Sequence, residues 1–351
     1  MSAAPTDPSS VPDDARLAAL RAWLASLPAA LRLDVASLAP ASADASFRRY
    51  FRLSGGDDTV IAMDAPPDRE DSAAFVRVAG LMSDAGVNVP RVLAQDLGQG
   101  FLLLGDLGRT TYLSVLDTTK PAAAAPLMMD AVDALIRWQL ASRPDVLPPY
   151  DEALLRRELA LYPDWYVSRH LGLTLDDAQR AVLEAAFDRI VASNLAQPRV
   201  YVHRDYMPRN LMVAAAGANP GVLDFQDAVH GPITYDVASL FKDAFLSWDE
   251  EVVLDWTVRY WERAKKAGLP VRDDFGEFYR DVEWMGLQRH LKVLGIFARI
   301  NYRDGKPHYL ADTPRFLHYV RATCDRYRAL GPLLKLIDAL EGRTITYGYT
   351  F

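Results

Sequence analysis

The densest group of residues that could perform chemistry lies between positions 200 and 225. It contains His203-Arg204-Asp205, then Asn210 five residues after the aspartate, and Asp224 after a gap of hairpin length. Phosphoryl transfer needs a carboxylate that accepts a hydroxyl proton and oxygen ligands that bind Mg²⁺. Asp205 suits the base, and Asn210 and Asp224 suit the metal. Each residue alone would be interpreted as turn-forming, but their joint spacing is that of the kinase signature.

Short apolar runs must position these side chains. Arg199–Val202, Leu211–Val213 and Val222–Phe225 predict strands within a region that is otherwise helical from about Tyr112 onward. Ahead of it, an alternating run at 46–53 and short runs at 59–63, 92–95 and 101–104 predict strands, with helices near 13–27 and 72–85. We therefore expect an α+β chain: a disordered lead-in (1–12), a small β-rich N-lobe (13–108) that binds nucleotide, and a larger, mostly helical C-lobe (109–351) with the catalytic loop, metal and substrate site.

The composition excludes several other classes of protein. The 351 residues carry a net charge of −7 with both signs interspersed, unlike the basic stripe of a nucleic-acid-binding protein. A single cysteine, Cys324, excludes a disulfide framework and a cysteine-rich zinc site. We find no secretory signal and no apolar run of about 18 residues. The expectation is a cytoplasmic protein with no nucleic-acid or membrane partner and no obligate protein partner.

Two stretches, HRDYMPRN and LDFQDAVHGPITYDVASL, resemble the aminoglycoside phosphotransferase (APH) and choline kinase superfamily, which is related to protein kinases. The resemblance implies a protein-kinase-like bilobal fold, ATP and Mg²⁺ as cofactors, Asp205 as the catalytic base, and Asn210 and Asp224 as magnesium ligands. Asp236 matches an aspartate of the family that supports the site, either structurally or chemically. His203 fits a packing and hydrogen-bonding support of the catalytic loop better than a base.

A narrower resemblance extends from about Ala45 to beyond Asp243. It comprises ASFRRYFRL, VIAMDAPP, NVPRVLAQD, GFLLLGDLG, ELALYPDWYVSRHLGL and DFQDAVHGPITYD, which together are similar to the bacterial N-acetylmuramate/N-acetylglucosamine anomeric kinases (AmgK-type) of peptidoglycan recycling. This resemblance implies transfer of the γ-phosphoryl group of ATP to the C1 hydroxyl of an amino sugar. An anomeric hydroxyl is more acidic than an ordinary alcohol, so a carboxylate base is compatible with this acceptor.

Two nucleotide-binding features of protein kinases are missing. The stretch Ser42–Phe47, which corresponds to the glycine-rich loop, has no glycine, and no lysine lies between Met1 and Lys120. Arg49 is the candidate replacement for the phosphate-binding lysine, because it falls on the apolar face of its strand and needs an anionic partner. The alternative is an ion pair with Asp64 or Glu70. We expect the preceding residue, Arg48, to face solvent.

The remaining site candidates rest on position. Leu103, Leu104 and Gly105, in the segment that connects the lobes, are expected to contact adenine by analogy with kinases, or else are ordinary strand-end residues. The residues that suggest a sugar site are Glu158, Asp164, Trp165, Tyr166 and His170. The two aromatic ones could equally belong to the core. Arg204 and Arg209 flank the base and would contact substrate or pair with a neighbouring acid.

Two other functions stay open on the sequence alone. The acceptor could be an aminoglycoside, choline or another small alcohol instead of an amino sugar. The missing lysine and glycine-rich loop could also mark an inactive nucleotide-binding module, although retention of Asp205, Asn210 and Asp224 together argues against it.

Overall fold

The computed structural model describes residues 15–42, 47–214 and 218–343. Two compact units divide these residues. The smaller unit extends to Thr110 and also contains Met212–Asp227, whereas the larger unit contains Thr111–Leu211 and the chain from Ala228 onward. The sequence places a lobe boundary at 108–109 and assigns 212–227 to the second lobe, so the structure differs in the location of this segment. The predicted lead-in, residues 1–12, lies outside the described residues.

The smaller unit is built on a five-stranded antiparallel sheet. Its strands lie in the order β1-β2-β3-β5-β4. They are β1 (Leu33–Ser42), β2 (Arg49–Gly55), β3 (Asp58–Asp64), β4 (Val92–Asp96) and β5 (Phe101–Gly105). Four of them match predicted strands, and β1 was not predicted. Two helices accompany the sheet, α1 (Ala15–Ser26) and α2 (Ser72–Asp84), both at the predicted positions.

The two faces of this sheet differ. Because side chains alternate along a strand, Phe51 and Leu53 of β2 lie on one face, and they form an apolar cluster with Leu17, Leu20 and Leu24 of α1. The register pairs Arg49 with Asp64 and Tyr50 with Met63. Arg49 therefore shares the face covered by α1, and Tyr50 lies on the opposite face. We call these the α1 face and the opposite face.

The segment 212–227 joins the smaller unit through backbone contacts. A short strand, β7 (Leu211–Met212), pairs with β8 (Gly221–Val222), and the N–H of Val222 donates to the carbonyl oxygen of Asn88 at 2.7 Å. Gly221 lies close to Leu107, since an added Cβ would lie 2.9 Å from Cδ1 of that side chain, which would have to shift. The predicted strand Val222–Phe225 is thus much shorter, which leaves Asp224 outside the strand.

The larger unit is mostly helical, as predicted. Its α-helices are α3 (Tyr112–Val115), α4 (Pro121–Leu140), α5 (Glu152–Leu159), α6 (Asp177–Leu195), α7 (Tyr235–Phe241), α8 (Glu250–Ala267), α9 (Phe275–Asp304), α10 (Thr313–Arg326) and α11 (Gly331–Leu340). A nine-residue π-helix, Tyr162–His170, follows α5. Three short 3₁₀ turns, Pro208–Asn210, Pro307–Asp312 and Arg328–Leu330, connect other elements. Nearly every residue of α9 between Phe278 and Ala298 is buried, so this helix forms the centre of the core.

A two-stranded sheet interrupts these helices where the sequence predicts a β-insert. Strand β6 (Arg199–Val202) pairs antiparallel with β9 (Val229–Pro232). Three of the four β6 residues are buried, and Val202 and Val229 belong to the core of the unit. The strand ends directly before His203, so its buried position fixes where the catalytic loop begins. Among the described residues, no helix is long and apolar enough to cross a membrane.

Candidate functional site

The loop after β6 is fastened by a buried carboxylate. Asp236, in the first turn of α7, is fully buried. Its Oδ2 accepts a hydrogen bond from the backbone N–H of His203 at 2.7 Å, and its Oδ1 accepts one from the N–H of Arg204 at 3.0 Å. Burial raises the pKa of Asp236 to about 7, against the opposing effect of these two donors. Asp236 thus sets the backbone path that leads into Asp205.

The arginine in this loop adopts an unusual backbone conformation. Arg204 has φ of +78°, a left-handed region that costs a non-glycine residue about 1–3 kcal/mol unless its surroundings enforce it. The surroundings do so at two points, since the N–H of Arg204 is bound by Asp236 and its Nη2 donates to Glu158 Oε1 at 2.7 Å. Arg204 is therefore bound to an acid of the protein, one of the two roles that the sequence left open.

Asp205 and Asn210 are linked by one hydrogen bond. Nδ2 of Asn210 donates to the backbone carbonyl oxygen of Asp205 at 2.9 Å. The N–H of Asp205 donates to Nδ1 of the buried His203 at 3.2 Å, so His203 accepts a hydrogen bond at Nδ1 from within the loop. The 3₁₀ turn at Pro208–Asn210 carries the chain from the first residue to the second. Both side chains therefore belong to one short, internally bonded loop of the larger unit.

Behind this loop lies a buried charge cluster centred on Glu158. The side chain is only 4% exposed. Its Oε1 accepts from Arg204 Nη2 at 2.7 Å and from Lys292 Nζ at 2.8 Å, and its Oε2 accepts from Gln288 Nε2 at 3.0 Å and from the Tyr150 hydroxyl. We call these five residues the Glu158 cluster. Four donors use both carboxylate oxygens, so Glu158 acts on the loop through Arg204, and direct contact with a sugar has no support here.

The Glu158 cluster contains one negative and two positive charges. Burial alone would raise the pKa of Glu158, but the charges of Lys292 and Arg204 outweigh it and lower the pKa to about 2. Burial alone would lower the pKa of Lys292, but Glu158 reverses this and raises it, and Asp205 contributes in the same direction. Both groups stay ionised at neutral pH. The Glu158 cluster therefore carries one net positive charge, which acts on the nearby carboxylate of Asp205.

Sequence reasoning missed three members of this cluster. Tyr150, Gln288 and Lys292 were not predicted; Lys292, for example, lies in a largely buried helix and is 134 residues from its carboxylate. One signal was present in the sequence. Gln288 and Lys292 are four residues apart, so they share a face of α9, and two polar side chains on one face of a buried helix indicate a shared polar partner.

The other sugar candidates lie mainly on the π-helix. Tyr166 is buried in the core, stacks on Tyr162 with ring centroids 5.6 Å apart, and donates its hydroxyl to Glu341 at 3.0 Å. Trp165 packs against the same core. The core alternative therefore describes these two aromatics.

Three further sugar candidates are accessible to different degrees. Asp164 is exposed, and His170 is half-buried with Nδ1 3.3 Å from the Tyr302 hydroxyl. The guanidinium of Arg209 lies over the ring of Phe245, 5.2 Å from its centroid. These positions leave Asp164, His170 and Arg209 as the accessible members of the predicted set.

Asp224 belongs to the smaller unit. Its backbone has φ of +63°, again in the left-handed region, and its Oδ1 accepts from Gln226 Nε2 at 2.9 Å. The next residue, Phe225, is fully buried, and its ring lies 4.8 Å from that of Phe75 on α2. A buried aromatic anchor and a constrained turn thus fix the Asp224 carboxylate.

Arg49 makes the ion pair that the sequence left as the alternative. Its Nε donates to Asp64 Oδ2 at 2.9 Å, while Arg16 of α1 donates its own Nε to Asp64 Oδ1 at 2.8 Å. Asp64 is fully buried. One carboxylate clamped by two arginines holds α1 against the sheet, and both arginines lie on the α1 face. The arrangement gives Arg49 a structural partner in place of a phosphate.

The expectation that Arg48 faces solvent is wrong. Arg48 is 8% exposed and forms an ion pair of 2.7 Å with Glu70, whose Oε1 also accepts from the N–H of Phe47 at 3.2 Å. Strand alternation correctly separates Arg48 from Arg49, but the ion pair with Glu70 buries Arg48 on the opposite face. Phe47, predicted on the apolar face, is 60% exposed. Most of the predicted phosphate loop, residues 43–46, lies outside the described residues.

The predicted adenine segment lies on β5, which is bonded to β3 on one side and β4 on the other. Leu103 and Leu104 are buried in this interior strand. The N–H of Gly105 donates to the carbonyl oxygen of Arg91 at 2.8 Å. This donor is therefore used within the smaller unit, and a contact of these residues with adenine stays a prediction.

The chemistry of the predicted metal ligands fits Mg²⁺. Asn210 uses its amide N–H for the Asp205 carbonyl, which identifies its Oδ1 as the atom that a cation would bind, and Asp224 offers carboxylate oxygens. Within the described ranges, no group of three or more His, Cys, Asp or Glu side chains could bind a metal ion. Mg²⁺ commonly takes one or two protein oxygens and completes its shell with phosphates and water. Asn210 in the larger unit and Asp224 in the smaller unit each offer an oxygen of this kind, and their joint binding of one metal ion stays a prediction.

Comparison with solved structures confirms the predicted protein-kinase-like α+β fold. A choline/ethanolamine kinase family protein from Mesorhizobium loti has a TM-score of 0.60 and 16% identity over 92% of this chain and 99% of that one. The ADP-bound aminoglycoside phosphotransferase APH(2'')-Ib has a TM-score of 0.55 and 15% identity, and covers 87% of this chain and 97% of its own. Both belong to the superfamily that the motifs indicated.

Sequence relatives extend along nearly the whole chain. The N-acetylmuramate/N-acetylglucosamine kinase of Pseudomonas aeruginosa is 55% identical across 93% of this chain and 98% of its own. The proteins of the same name from Pseudomonas putida and Neisseria meningitidis are 52% and 49% identical, across 87% and 89% of this chain and 88% and 93% of their own.

The family itself matches directly. The phosphotransferase enzyme family (APH) matches residues 37–275, which include Asp205, Asn210 and Asp224. This match and the kinase relatives confirm the prediction of a phosphotransferase that acts on a hydroxyl group. A kinase of this family generally uses ATP and a divalent metal. On these grounds the chain belongs to the phosphotransferase enzyme family.

Proposed function

We propose that this protein transfers the γ-phosphoryl group of ATP to the anomeric C1 hydroxyl of N-acetylmuramate and N-acetylglucosamine, as a cytoplasmic step of peptidoglycan recycling. The observation that carries the proposal is the identity of 55% with a kinase of that name, across 93% of this chain and 98% of the relative. Identity at this level supports the transfer of the relative's substrate class to this chain. Similarity of fold alone would not, because phosphotransferases of similar fold act on chemically diverse acceptors.

In the proposed reaction, Asp205 is the general base. Its carboxylate accepts the proton of the C1 hydroxyl as the sugar oxygen attacks the γ-phosphorus, and the bond from that phosphorus to the β-phosphate oxygen breaks. The products are the sugar 1-phosphate and ADP, and the proton leaves Asp205 for solvent. The loop bonds to Asp236 and His203 support this role because they fix the backbone on both sides of the base.

Asn210 and Asp224 are the proposed ligands of Mg²⁺. When bound, the ion neutralises charge on the phosphates and aligns the γ-phosphoryl group for in-line attack. Both residues have the oxygen atoms that a hard cation requires, and each is fixed by its own contact, Asn210 to the Asp205 carbonyl and Asp224 to Gln226. The Glu158 cluster acts behind the base, where Lys292 and Arg204 supply positive charge.

Asp164, His170 and Arg209 are the proposed sugar-contact residues, and Leu103–Gly105 remains the proposed adenine segment. The accessibility of the first three supports their selection. N-acetylmuramate carries a carboxylate that N-acetylglucosamine lacks. A guanidinium such as that of Arg209 is chemically suited to that carboxylate.

The proposal is tested by an ATP-consumption screen over the two amino sugars, an aminoglycoside panel and choline, with phosphorus NMR of each product. We expect turnover with the amino sugars only. Carbon-13 label at C1 should give a product in which C1 couples to phosphorus. Turnover of an aminoglycoside or choline, or a phosphate on any hydroxyl except C1, would replace this function with another. The absence of turnover with every acceptor would favour an inactive nucleotide-binding module.

A further inference from the structure

The smaller unit must supply positive charge to a nucleotide without a lysine, because no lysine precedes Lys120 in the sequence. A triphosphate carries several negative charges, and kinases of this fold type use a strand cation in addition to the metal. Arg49 is committed to Asp64 on the α1 face. Protein kinases carry the phosphate-binding lysine on their third strand. The matching residue of β3 here is Met63, which lies on the opposite face and is fully buried. A replacement cation therefore belongs on the opposite face.

Arg48, directly before β2, and Arg52, within it, are each two residues from Tyr50, so strand alternation places both arginines on the opposite face. Arg52 is bound at the far end of the strand, where Nε and Nη2 donate to the two oxygens of Asp106, the latter at 2.9 Å, and Nη2 also donates to the Gly108 carbonyl. Arg48 directly precedes Arg49, the residue paired with Asp64, so it lies one residue beyond the end of the register in which Tyr50 faces Met63. By alternation its side chain is on the same face as those of Tyr50 and Met63.

A chain of contacts within the smaller unit leads from Arg48 to Asp224. Arg48 pairs with Glu70 at 2.7 Å, and both side chains are largely buried. Glu70 stands two residues ahead of the first residue of α2, whose N-terminus is capped by Asp71. In the first turn of α2, Phe75 contacts Phe225, the residue after Asp224. Arg48 and the proposed metal ligand are thus fixed to the same short helix, one at its start and one a turn later.

We propose that Arg48, oriented by Glu70, binds the phosphate groups of the nucleotide. The inference rests on the proposed function, which supplies ATP as the donor. A guanidinium has five N–H donors in a planar fork, so it binds a carboxylate along one edge and a phosphate oxygen along another. Its pairing with Glu70 parallels the cation–glutamate pair that positions the strand lysine in kinases. The burial of this ion pair does not by itself indicate a role in stability, because apolar residues often replace such pairs without loss of stability.

The test compares binding of a ligand with phosphates and a ligand without them. Calorimetry on the full chain with Mg²⁺ gives the dissociation constants of ATP and of adenosine for the wild type, Arg48→Gln and Arg48→Lys. Loss of one charge-assisted bond predicts that Arg48→Gln weakens ATP binding about 10- to 100-fold and changes adenosine binding by less than about twofold. Arg48→Lys keeps the charge and should retain part of the affinity. The matched control is Arg77→Gln, an exposed arginine on α2, which should bind both ligands as the wild type does.

Two results would overturn the inference. One is an ATP affinity of Arg48→Gln equal to that of the wild type. The other is an equal loss of ATP and adenosine binding, which would indicate a structural role for the Arg48–Glu70 pair. If Arg48→Gln does not fold by circular dichroism, the ratio of ATP to adenosine affinity in Arg48→Lys decides in the same way. A wild-type protein that binds ATP but phosphorylates no amino sugar refutes the proposed function and leaves the role of Arg48 to be judged on binding.

Discussion

Replacing Glu158 by glutamine removes one charge from the centre of the Glu158 cluster and keeps the shape of the side chain. Arg204 and Lys292 then face a neutral amide in a site that is only 4% exposed at residue 158. The oxygen of the glutamine can still accept a hydrogen bond, but its NH₂ group can only donate and would face other donors. We therefore expect two buried cations to lose their counter-ion, and the loop at Arg204 to lose its anchor next to Asp205.

The magnitude follows from the proton affinity of the carboxyl group. The pKa of Glu158 falls from 4.5 to about 2 in the folded protein. Since a tenfold change in a binding constant corresponds to about 1.4 kcal/mol, this fall corresponds to about 3 kcal/mol of stability from the ionised form. The loss expected when one partner of a buried ion pair is removed is about 3–5 kcal/mol. Both routes place the loss in free energy of unfolding at neutral pH near 3 kcal/mol or slightly above.

The pH dependence gives this prediction its sign. Because the folded pKa lies below the unfolded pKa, the contribution of Glu158 is present above pH 4.5 and is lost as the pH falls from 4.5 toward 2. Denaturant unfolding of the wild type and Glu158→Gln should therefore differ by about 3 kcal/mol at pH 7 and by about 1–2 kcal/mol at pH 3. We also expect kcat at pH 7 to fall at least about tenfold, because the base is misplaced.

The control is Glu184→Gln, the same substitution at an exposed position of α6, which should leave the unfolding free energy within about 0.5 kcal/mol of the wild type. If Glu158→Gln behaved like this control at pH 7, the Glu158 cluster would not stabilise the fold as described. A difference between wild type and variant that stayed constant from pH 7 to pH 3 would likewise refute the electrostatic explanation.

Two further predictions concern the loop anchor and the packing of the buried helix. In the wild type, the two oxygens of Asp236 accept hydrogen bonds from two backbone N–H groups, whereas the asparagine of Asp236→Asn has only one accepting atom. Steady-state kinetics should therefore show a kcat at least about tenfold lower with a nearly unchanged KM for ATP. An unaltered kcat would contradict the anchoring role. In Gly295→Ala, the new Cβ would lie 2.2 Å from the carbonyl oxygen of Leu161, so unfolding should show a loss of about 1–3 kcal/mol or more. Gly286→Ala, in the same helix with its nearest atom at 3.5 Å, should be neutral or stabilising by up to about 1 kcal/mol, and equal effects of the two would refute the packing argument.

Local sequence patterns predicted most elements of the smaller unit but not all. Period-two alternation located β2, shorter runs located β3, β4 and β5, and apolar spacing located α1 and α2. Strand β1 was missed because Leu33–Ser42 contains Pro40 and a run of alanines and serines without clear alternation, and its pairing with β2 is broken by register shifts. In the larger unit, strand β9 was missed because VHGP contains glycine and proline, and only its pairing with β6 makes it a strand.

A catalytic loop could be predicted from the sequence because its residues are close together and their types specify a chemistry, and the roles of these residues stay a prediction. Asp205, Asn210 and Asp224 lie within twenty residues, so their spacing carries the signal. The Glu158 cluster was not predictable in the same way. Three of its four bonds to Glu158 join residues that are 46 to 134 positions apart, and such pairings depend on how helices pack.

The two neighbouring arginines show where alternation stops being informative. The pattern correctly placed Arg48 and Arg49 on opposite faces of β2. It could not tell that α1 would cover one face and bring Arg16 to Asp64, nor that Glu70 would bury Arg48 on the other. The alternating pattern shows on which face of the strand a side chain lies, whereas the partner of that side chain depends on the elements that pack against the sheet.

The central claim is that the Asp205 carboxylate accepts the proton of the sugar C1 hydroxyl. The most direct test is the single-turnover rate of sugar 1-phosphate formation by Asp205→Asn, measured beside its affinity for ATP. Loss of a general base predicts a rate at least about 10²-fold lower with ATP affinity within about twofold of the wild type. Asp325→Asn, the same substitution at an exposed site on α10, should turn over normally. A near-normal rate for Asp205→Asn would contradict the assignment of the base.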